Sequence, residues 1–220
     1  MALCANRWYL MTMEMIEKWK AALMKPKETF ASEKKNANLG ASTKNLAISY
    51  LIGGFLFVIG VVITSPNPGI FVLILPFAIL PIIFEIIIFV IFCLVVSFIF
   101  IGVLHVIAKL LGGNGQYSQL VYLYSLYAAP ISILSGIPFI GIILGIVLGV
   151  YGVYLETLAI KEVYGLSTSK AILVWALPGI ILLIIIALVA AALIATFLAT
   201  VGLGAVGAAN TGAGSDILLI

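Results

Sequence analysis

Long apolar runs separated by short polar stretches make up the chain after residue 45. The first run, 46–64, contains 19 residues without a charged side chain. At about 1.5 Å of rise per residue, a helix of this length just crosses a hydrocarbon core of about 30 Å. The repeated runs predict an all-α membrane protein, a bundle of five membrane-crossing helices. The predicted crossings are 46–64, 82–111, 116–136, 139–160 and 170–200.

The apolar stretch 70–111 is longer than one crossing requires. As a single helix it would extend for about 63 Å, roughly twice the thickness of the hydrocarbon core. Two interpretations are open. The stretch forms two crossings hinged near Glu85, or it forms a partial or re-entrant segment over 70–81 followed by one crossing over 82–111.

The first 45 residues have a different pattern. Between residues 6 and 24, apolar side chains recur every three or four positions, which predicts an amphipathic helix that ends before Pro26. A helix lying in the membrane interface and a helix packed on the cytoplasmic face of the bundle are equally compatible with this pattern. Residues 31–44 predict a polar linker, so 1–45 forms a cytoplasmic leader. The apolar stripe consists of Trp8, Met11, Met15, Trp19 and Leu23.

Composition excludes a soluble globular protein. Of the 220 residues, 64% are hydrophobic and only 9% are charged, whereas soluble domains carry about 25% charged residues. A soluble fold of this size could not bury so much apolar surface, so most of the chain must be solvated by lipid.

The positions of the Lys and Arg residues predict the topology. Eight of the eleven precede the first apolar run, and cytoplasmic loops are enriched in these residues. A single crossing over 82–111 keeps the other three, Lys109, Lys161 and Lys170, on the same side, and we adopt that interpretation. The N-terminus is then cytoplasmic, and the Gly- and Ala-rich tail 201–220 lies outside. The basic leader faces membrane lipids rather than nucleic acid.

Ionisable side chains at the membrane predict a polar cluster. Each one costs about 2.5–3.5 kcal/mol at the bilayer midplane on insertion scales. His105 and Lys109 share one helix face, and we expect Glu156 to reach one of them in a structural ion pair rather than in a proton or ion relay. Tyr124, from the tyrosine-rich crossing 116–136, completes the candidate cluster. Its hydroxyl either lines a polar cavity for a headgroup or solute or, as we favour, forms interhelical hydrogen bonds.

Small residues predict where helices pack closely. Gly141, Gly145 and Gly149 form two overlapping GxxxG units on the fourth crossing, and this spacing lets a neighbouring backbone approach. We expect this face to pack within the bundle. A comparable series on the fifth crossing consists of Ala187, Ala191 and Ala195.

The sequence carries no catalytic signature. The turn 112–115 is rich in glycine but lacks the Gly-Lys-Ser/Thr of a phosphate-binding loop. One histidine and two widely separated cysteines do not form a usual zinc site, and no GxSxG motif is present. We therefore expect no enzymatic activity, no catalytic residue, no metal and no cofactor.

Four sequence segments in the second half of the chain, taken in order, are typical of a known family. HVIAKLLGGNG closes the second crossing, YLYSLYAAP lies in the third, IPFIG opens the fourth and EVYGLSTSKAILVWALP leads into the fifth. Together they resemble the Yip family, the membrane proteins named for their interaction with Ypt/Rab GTPases. The leader segment WKAALMKPKETF is similar to the N-terminal part of prokaryotic members, and the resemblance extends from Trp19 to about Ala195.

The resemblance implies five crossings with a cytosolic N-terminus. For eukaryotic members it also implies roles in early secretory traffic and binding of Rab GTPases or a sister Yip protein. The leader lacks the Asp-Leu-Tyr-Gly-Pro motif of eukaryotic relatives, which argues against Rab binding and places the chain closer to bacterial or archaeal members. The membrane is then the plasma membrane, whereas a eukaryotic member would reside in the ER or Golgi.

These observations predict a non-enzymatic scaffold or membrane-organising protein. Its partners would be membrane lipids and another membrane protein or a second copy of itself. Two alternatives stay open. One is a small channel, transporter or lipid-handling protein that uses the polar cluster around Glu156. The other is an accessory subunit that docks through the glycine-rich fourth crossing.

Overall fold

The computed structural model describes residues 2–66, 68–138 and 141–212. These residues form α-helices and a short 3-10 helix over Lys34–Asn36, without a strand among them, which confirms the all-α class. In chain order the helices are α1 (Ala2–Met24), α2 (Pro26–Glu33), α3 (Leu39–Thr64), α4 (Pro68–Leu110), α5 (Tyr117–Ser135), α6 (Gly141–Tyr164) and α7 (Thr168–Gly212).

Four helical segments of the described chain are long and apolar enough to cross a membrane. They are Leu39–Thr64, Ile79–Leu110, Ile143–Tyr164 and Thr168–Phe197. The predicted crossing 116–136 forms α5, which does not reach the same apolarity because it carries several tyrosine and serine side chains. The membrane character is therefore confirmed, and the count of five crossings stays a prediction.

The segment 70–81 is helical and continuous with the crossing that follows it. α4 runs without a break through Pro81, so the structure differs from the predicted partial or re-entrant segment. A helix satisfies its own backbone hydrogen bonds, whereas an open turn at membrane depth would leave them unpaired. The continuous helix is therefore the less costly conformation for this stretch.

The predicted polar linker 31–44 is largely helical. α2 and the 3-10 helix take up its first part, and α3 takes up its last part. Asn38 begins α3 because its side-chain oxygen accepts hydrogen bonds from the backbone N–H groups of Gly40 at 2.7 Å and Ala41 at 3.3 Å. α3 thus begins well before the apolar run that predicted it.

The chain up to Trp175 forms one compact unit, and α5 lies at its centre in contact with α1, α3, α4 and α6. The second half of α1 and all of α2 also pack on this unit, because Trp19, Ala22 and Phe30 are buried in its core. Met13 and Ile16, in the preceding turns of α1, are exposed. The leader therefore includes a segment held against the helix bundle. The fully buried leucines and isoleucines of the core include Leu120, Leu123, Leu126, Leu155 and Ile160.

The second unit is the rest of α7, which the structure describes as far as Gly212. Its side chains from 179 to 197 are all exposed. The predicted alanine series belongs to this stretch and does not form a buried face in it. The helix also continues into the predicted tail 201–220, whose last part, 213–220, lies outside the described residues.

Candidate functional site

A tyrosine of α5 holds the carboxylate of Glu156 inside the helix bundle. The Tyr127 hydroxyl donates a hydrogen bond to Glu156 Oε2 at 3.0 Å. The ring of Tyr127 is buried, and its centroid lies 6.1 Å from that of Phe30. Phe30 belongs to the leader and is itself fully buried. Elements from α6, α5 and the leader therefore meet at this carboxylate.

Further hydroxyl groups continue from Tyr127 toward α3 and α4. The Tyr124 ring lies edge-on to the Tyr127 ring, with centroids 5.4 Å apart. The Tyr50 and Ser97 hydroxyl oxygens are 2.6 Å apart, and the Tyr124 hydroxyl is close to both. These hydroxyls and the carboxylate form one polar group that joins α3, α4, α5 and α6. We call it the inner polar cluster, and its members are Tyr50, Ser97, Tyr124, Tyr127 and Glu156.

The predicted contact from Glu156 to Lys109 or His105 is wrong. Among the described residues no ion pair joins Glu156 to either side chain. His105 Nδ1 instead lies 2.5 Å from the Tyr164 hydroxyl, its ring stands edge-on to Tyr117, and Lys109 is exposed. The reason is that α6 packs mainly on α5, so a hydroxyl of α5 reaches Glu156 before any cation of α4. Of the predicted site residues, the structure brings only Tyr124 and Glu156 into one cluster.

Sequence reasoning also missed three members of the inner polar cluster, which are Tyr50, Ser97 and Tyr127. Tyr50 and Ser97 each lie within an apolar run. A polar side chain at membrane depth needs a partner, because lipid cannot hydrogen-bond to it. Their positions within apolar runs were therefore a usable signal, although the sequence could not show that they pair with each other.

A second polar group joins the leader to α5. The Tyr122 hydroxyl donates to Glu33 Oε2 at 2.8 Å, and the Lys18 ammonium lies 3.4 Å from the same oxygen and 3.1 Å from Glu14. We call Glu14, Lys18, Glu33 and Tyr122 the leader cluster. Partial burial acts to lower the pKa of Lys18, but the hydrogen bond to Glu14 and the nearby negative charges together raise it above its usual value. The contribution of this cation to stability is therefore present at neutral pH and is lost only as the pH rises through the raised pKa.

The leader is also attached to α6. The Lys34 ammonium donates to the backbone carbonyl of Glu162 at 2.6 Å, and the Tyr151 hydroxyl donates to the carbonyl of Leu23 at 2.6 Å. Partly exposed charge pairs contribute only about 0–1 kcal/mol each. The buried aromatic side chain of Phe30 is therefore a larger source of leader docking than any one polar contact.

The predicted packing glycines occupy unequal environments. A methyl group on Gly141 would overlap the backbone carbonyl of Ser135, and one on Gly145 would make only ordinary contact with the Ser135 side chain. A methyl group on Gly149 would meet nothing within 4 Å. The GxxxG face thus approaches α5 closely at its first glycine and diverges from it by the third.

Close backbone approaches also occur at glycines that the sequence spacing does not mark. A methyl group on Gly136 would lie 2.8 Å from the carbonyl oxygen of Gly53, where the end of α5 meets α3.

In the part of the chain that the structure describes, no group of His, Cys, Asp and Glu could hold a metal ion. The chemistry available here is hydrogen bonding and charge pairing.

Replacing Tyr127 by phenylalanine is expected to lower the free energy of unfolding by about 2 kcal/mol, because the Glu156 carboxyl group loses its donor inside the bundle. Denaturation in mixed micelles would measure the change. Tyr154→Phe is the matched control, since Tyr154 is largely exposed and stacks on Tyr151. Equal losses for the two variants would contradict a special role for the Tyr127 hydroxyl.

Comparison with known proteins identifies a family. The family model described as the Yip1 domain matches residues 20–190. The match extends from the last turns of α1 into α7 and includes the whole inner polar cluster. No curated protein and no solved structure matches the chain.

Proposed function

Because the chain belongs to the Yip1 domain family, we propose that it is a non-enzymatic integral membrane protein that acts as a scaffold or membrane-organising partner. The observation that carries this proposal is the hydrogen bonding of the Glu156 side chain. Its carboxylate accepts a hydrogen bond from Tyr127, and Phe30 of the leader packs against that tyrosine. An intramembrane carboxylate used for transport must exchange with water or solute, whereas this one is half-buried and paired with the hydroxyl of a buried tyrosine, which suits a structural role.

The proposed topology has five crossings, with α5 as the interior one. α5 is in contact with α1, α3, α4 and α6, and its tyrosine hydroxyls bond to protein groups. A helix in that position does not need the apolarity of a lipid-facing helix. Its 19 residues extend for about 28 Å, close to the thickness of the hydrocarbon core.

Contacts at one end of the compact unit support the same topology. Lys34 of the leader bonds to Glu162 near the end of α6, and Lys170 at the start of α7 donates to the carbonyl of Leu111 at 3.0 Å. The leader, the α4–α5 turn and the α6–α7 turn therefore lie near each other. This is the arrangement expected if all of them are cytoplasmic, with the N-terminus inside and the C-terminus outside.

The docked leader offers a surface for a partner at that end. Several of its charged side chains point away from the bundle and are exposed, which leaves them available to another protein or to lipid headgroups. They include Lys20, Lys25, Lys27, Glu28 and Lys35. The leader lacks the Asp-Leu-Tyr-Gly-Pro motif of eukaryotic relatives. We therefore propose a membrane protein or a second copy of the chain as the partner rather than a Rab-type GTPase.

The alternative is a small channel, transporter or lipid-handling protein. The observation that favours it is the inner polar cluster itself, because its hydroxyl groups lead from Glu156 on α6 across α5 to Ser97 on α4. In this alternative the series of hydroxyls is the proton path, and the leader is its gate.

The two functions separate in a paired experiment on the full chain. Proteoliposomes with wild-type protein are expected to show no more proton or ion flux than empty liposomes. Affinity purification from native membranes should recover a defined partner equally well with wild type and with Glu156→Gln. The double variant Lys25→Gln/Lys27→Gln should recover about thirtyfold less partner if each of the two lost charges contributes about 1 kcal/mol at the membrane surface. Lys109→Gln, which changes an exposed cation outside the leader, is the control. Flux that disappears in Glu156→Gln would replace the scaffold with the transporter.

A further inference from the structure

A polar cleft lies where the leader meets the start of the first crossing. It has a volume of about 170 Å³ and lies between α1, α3 and α5. Its lining combines side chains of both charges with an apolar floor. The charged and polar members are Glu14, Lys18, Lys44, Asn45 and Tyr122, and the apolar members are Met15, Ala41 and Leu126.

Lys44 indicates where this cleft lies along the membrane normal. It is the last charged residue before the uncharged run 46–64, so in a bilayer it lies at the level of the lipid headgroups. The next residue, Asn45, is buried, and its side-chain amide donates to the hydroxyl of Ser125 at 3.3 Å. That bond fixes the α3 wall of the cleft against α5.

An apolar groove follows directly along α3. It has a volume of about 240 Å³, and its lining contains no polar side chain. Lys44, Ile48 and Leu51 are spaced four and three residues apart, so they share one face of α3, and the groove begins about one helical turn beyond the cleft. The lining residues of the groove are Ala47, Ile48 and Leu51 from α3 and Ile87, Val90 and Ile91 from α4.

We propose that the cleft and the groove together bind one phospholipid with an amine headgroup. The Lys44 ammonium would pair with the phosphate, the Glu14 carboxylate with the headgroup ammonium, and an acyl chain would lie in the groove. Lys18 contacts both Glu14 and Glu33, so charges of both signs lie in and beside the cleft. A headgroup that carries both charges can interact with Lys44 and with Glu14, whereas a purely anionic headgroup would bring no cation to the Glu14 carboxylate.

Retention of lipid by the purified full-length chain tests this site. The protein is reconstituted in nanodiscs with equal amounts of phosphatidylethanolamine and phosphatidylglycerol, and lipids that stay bound after release are counted by native mass spectrometry. Wild type is expected to retain one phosphatidylethanolamine. Lys44→Gln should lower that retention about fivefold, the equivalent of one lysine–headgroup contact. Glu14→Gln should remove the preference for phosphatidylethanolamine, and Lys20→Gln, an exposed leader lysine outside the cleft, should change nothing.

The groove is tested separately. Leu51→Trp fills it from an exposed position and is expected to reduce lipid retention while the thermal unfolding midpoint stays at the wild-type value. Soluble glycerophosphoethanolamine, which has the headgroup but no acyl chain, should fail to displace the lipid at equal concentration. Equal retention of both lipids by wild type, unchanged retention in Lys44→Gln, or displacement by the soluble headgroup would each overturn the proposal. Because neither partner recovery nor ion flux is measured here, failure of this site is distinguishable from failure of the proposed function.

Discussion

Gly115→Ala is expected to lower the free energy of unfolding by about 3 kcal/mol, the upper part of the usual range for overpacking. Gly115 is buried in the turn between α4 and α5, and an added methyl group would overlap both the side chain and the backbone carbonyl of Val163 on α6. A flexible side-chain end could rotate away, but a backbone carbonyl in a helix cannot. Either the turn or α6 must therefore shift. Denaturation in mixed micelles, followed by tyrosine and tryptophan fluorescence, would measure the loss.

Several contacts hold the same turn against α6. The turn therefore cannot shift easily to relieve the overlap at Gly115. The Asn114 N–H donates to the carbonyl of Tyr164 on α6 at 3.3 Å, and the Gly113 N–H donates to that of Ala108 on α4 at 2.9 Å, so the turn is bonded to both helices. A methyl group on Gly113 would lie 2.7 Å from Cβ of Tyr164. Moving the turn away from Val163 would break these contacts together with the one at Gly115.

Gly149→Ala is the control for this prediction. Gly149 belongs to the GxxxG series, yet a methyl group there meets nothing within 4 Å. Alanine favours a helix over glycine by up to about 1 kcal/mol, so the variant should be neutral or slightly stabilising. A loss as large as that of Gly115→Ala would contradict the open space that the described residues leave beside Gly149.

The contrast between these glycines shows what sequence spacing can and cannot predict. A GxxxG motif indicates that one helix has a face without bulky side chains. Whether another backbone comes close to that face depends on the crossing angle and on the side chains of the neighbouring helix. The α4–α5 turn has glycines for a different reason, since it must pass directly over α6. That requirement is a property of the assembled fold and has no period along the chain.

Hydropathy predicted the helical class and five crossings, and four helical segments of the described chain are long and apolar enough to be among them. It succeeded that far because transfer of apolar side chains from water is a local, additive effect. Hydropathy did not predict the structure of the leader, where residues 31–44 are polar but largely helical. The capping bonds of Asn38 and the packing of Phe30 stabilise that structure, and both depend on neighbours that a sliding window does not see. α5 falls below the apolarity of a crossing helix for the related reason that its polar groups bond to protein.

The candidate site was predicted in part. The cost of an ionisable group near lipid correctly singled out Glu156 as a residue that needs a partner. The partner was assigned by charge, as Lys109 or His105, whereas the structure supplies the hydroxyl of Tyr127. A hydrogen-bond donor satisfies a carboxylate without a second desolvated charge, so the choice among donors depends on which helix is adjacent. That adjacency, α6 on α5, is not encoded in the spacing of charges.

Phe30→Ala is expected to cost about 4 kcal/mol, the usual range for truncating a fully buried phenylalanine. Phe30 is fully buried and packs against Tyr127. Because Phe30 is the largest fully buried side chain of the leader, we expect the loss to appear first as undocking of α1 and α2 rather than as global unfolding. Hydrogen exchange of the leader amides and trypsin cleavage after Lys27 would both increase. Met24→Ala, at a residue that is 71% exposed, should leave both rates unchanged.

The same variant connects the leader to the inner polar cluster. If Phe30 shields the bond between Tyr127 and Glu156, its removal lets water reach the carboxylate, and water then replaces the hydroxyl as donor. The loss caused by Tyr127→Phe should therefore shrink from about 2 kcal/mol to less than 1 kcal/mol in the Phe30→Ala background, a coupling that a double-mutant cycle resolves. Strict additivity of the two substitutions would mean that the leader covers Glu156 without controlling its access to water. The leader would then be a docking surface alone, and the transporter alternative would lose the gate that it requires.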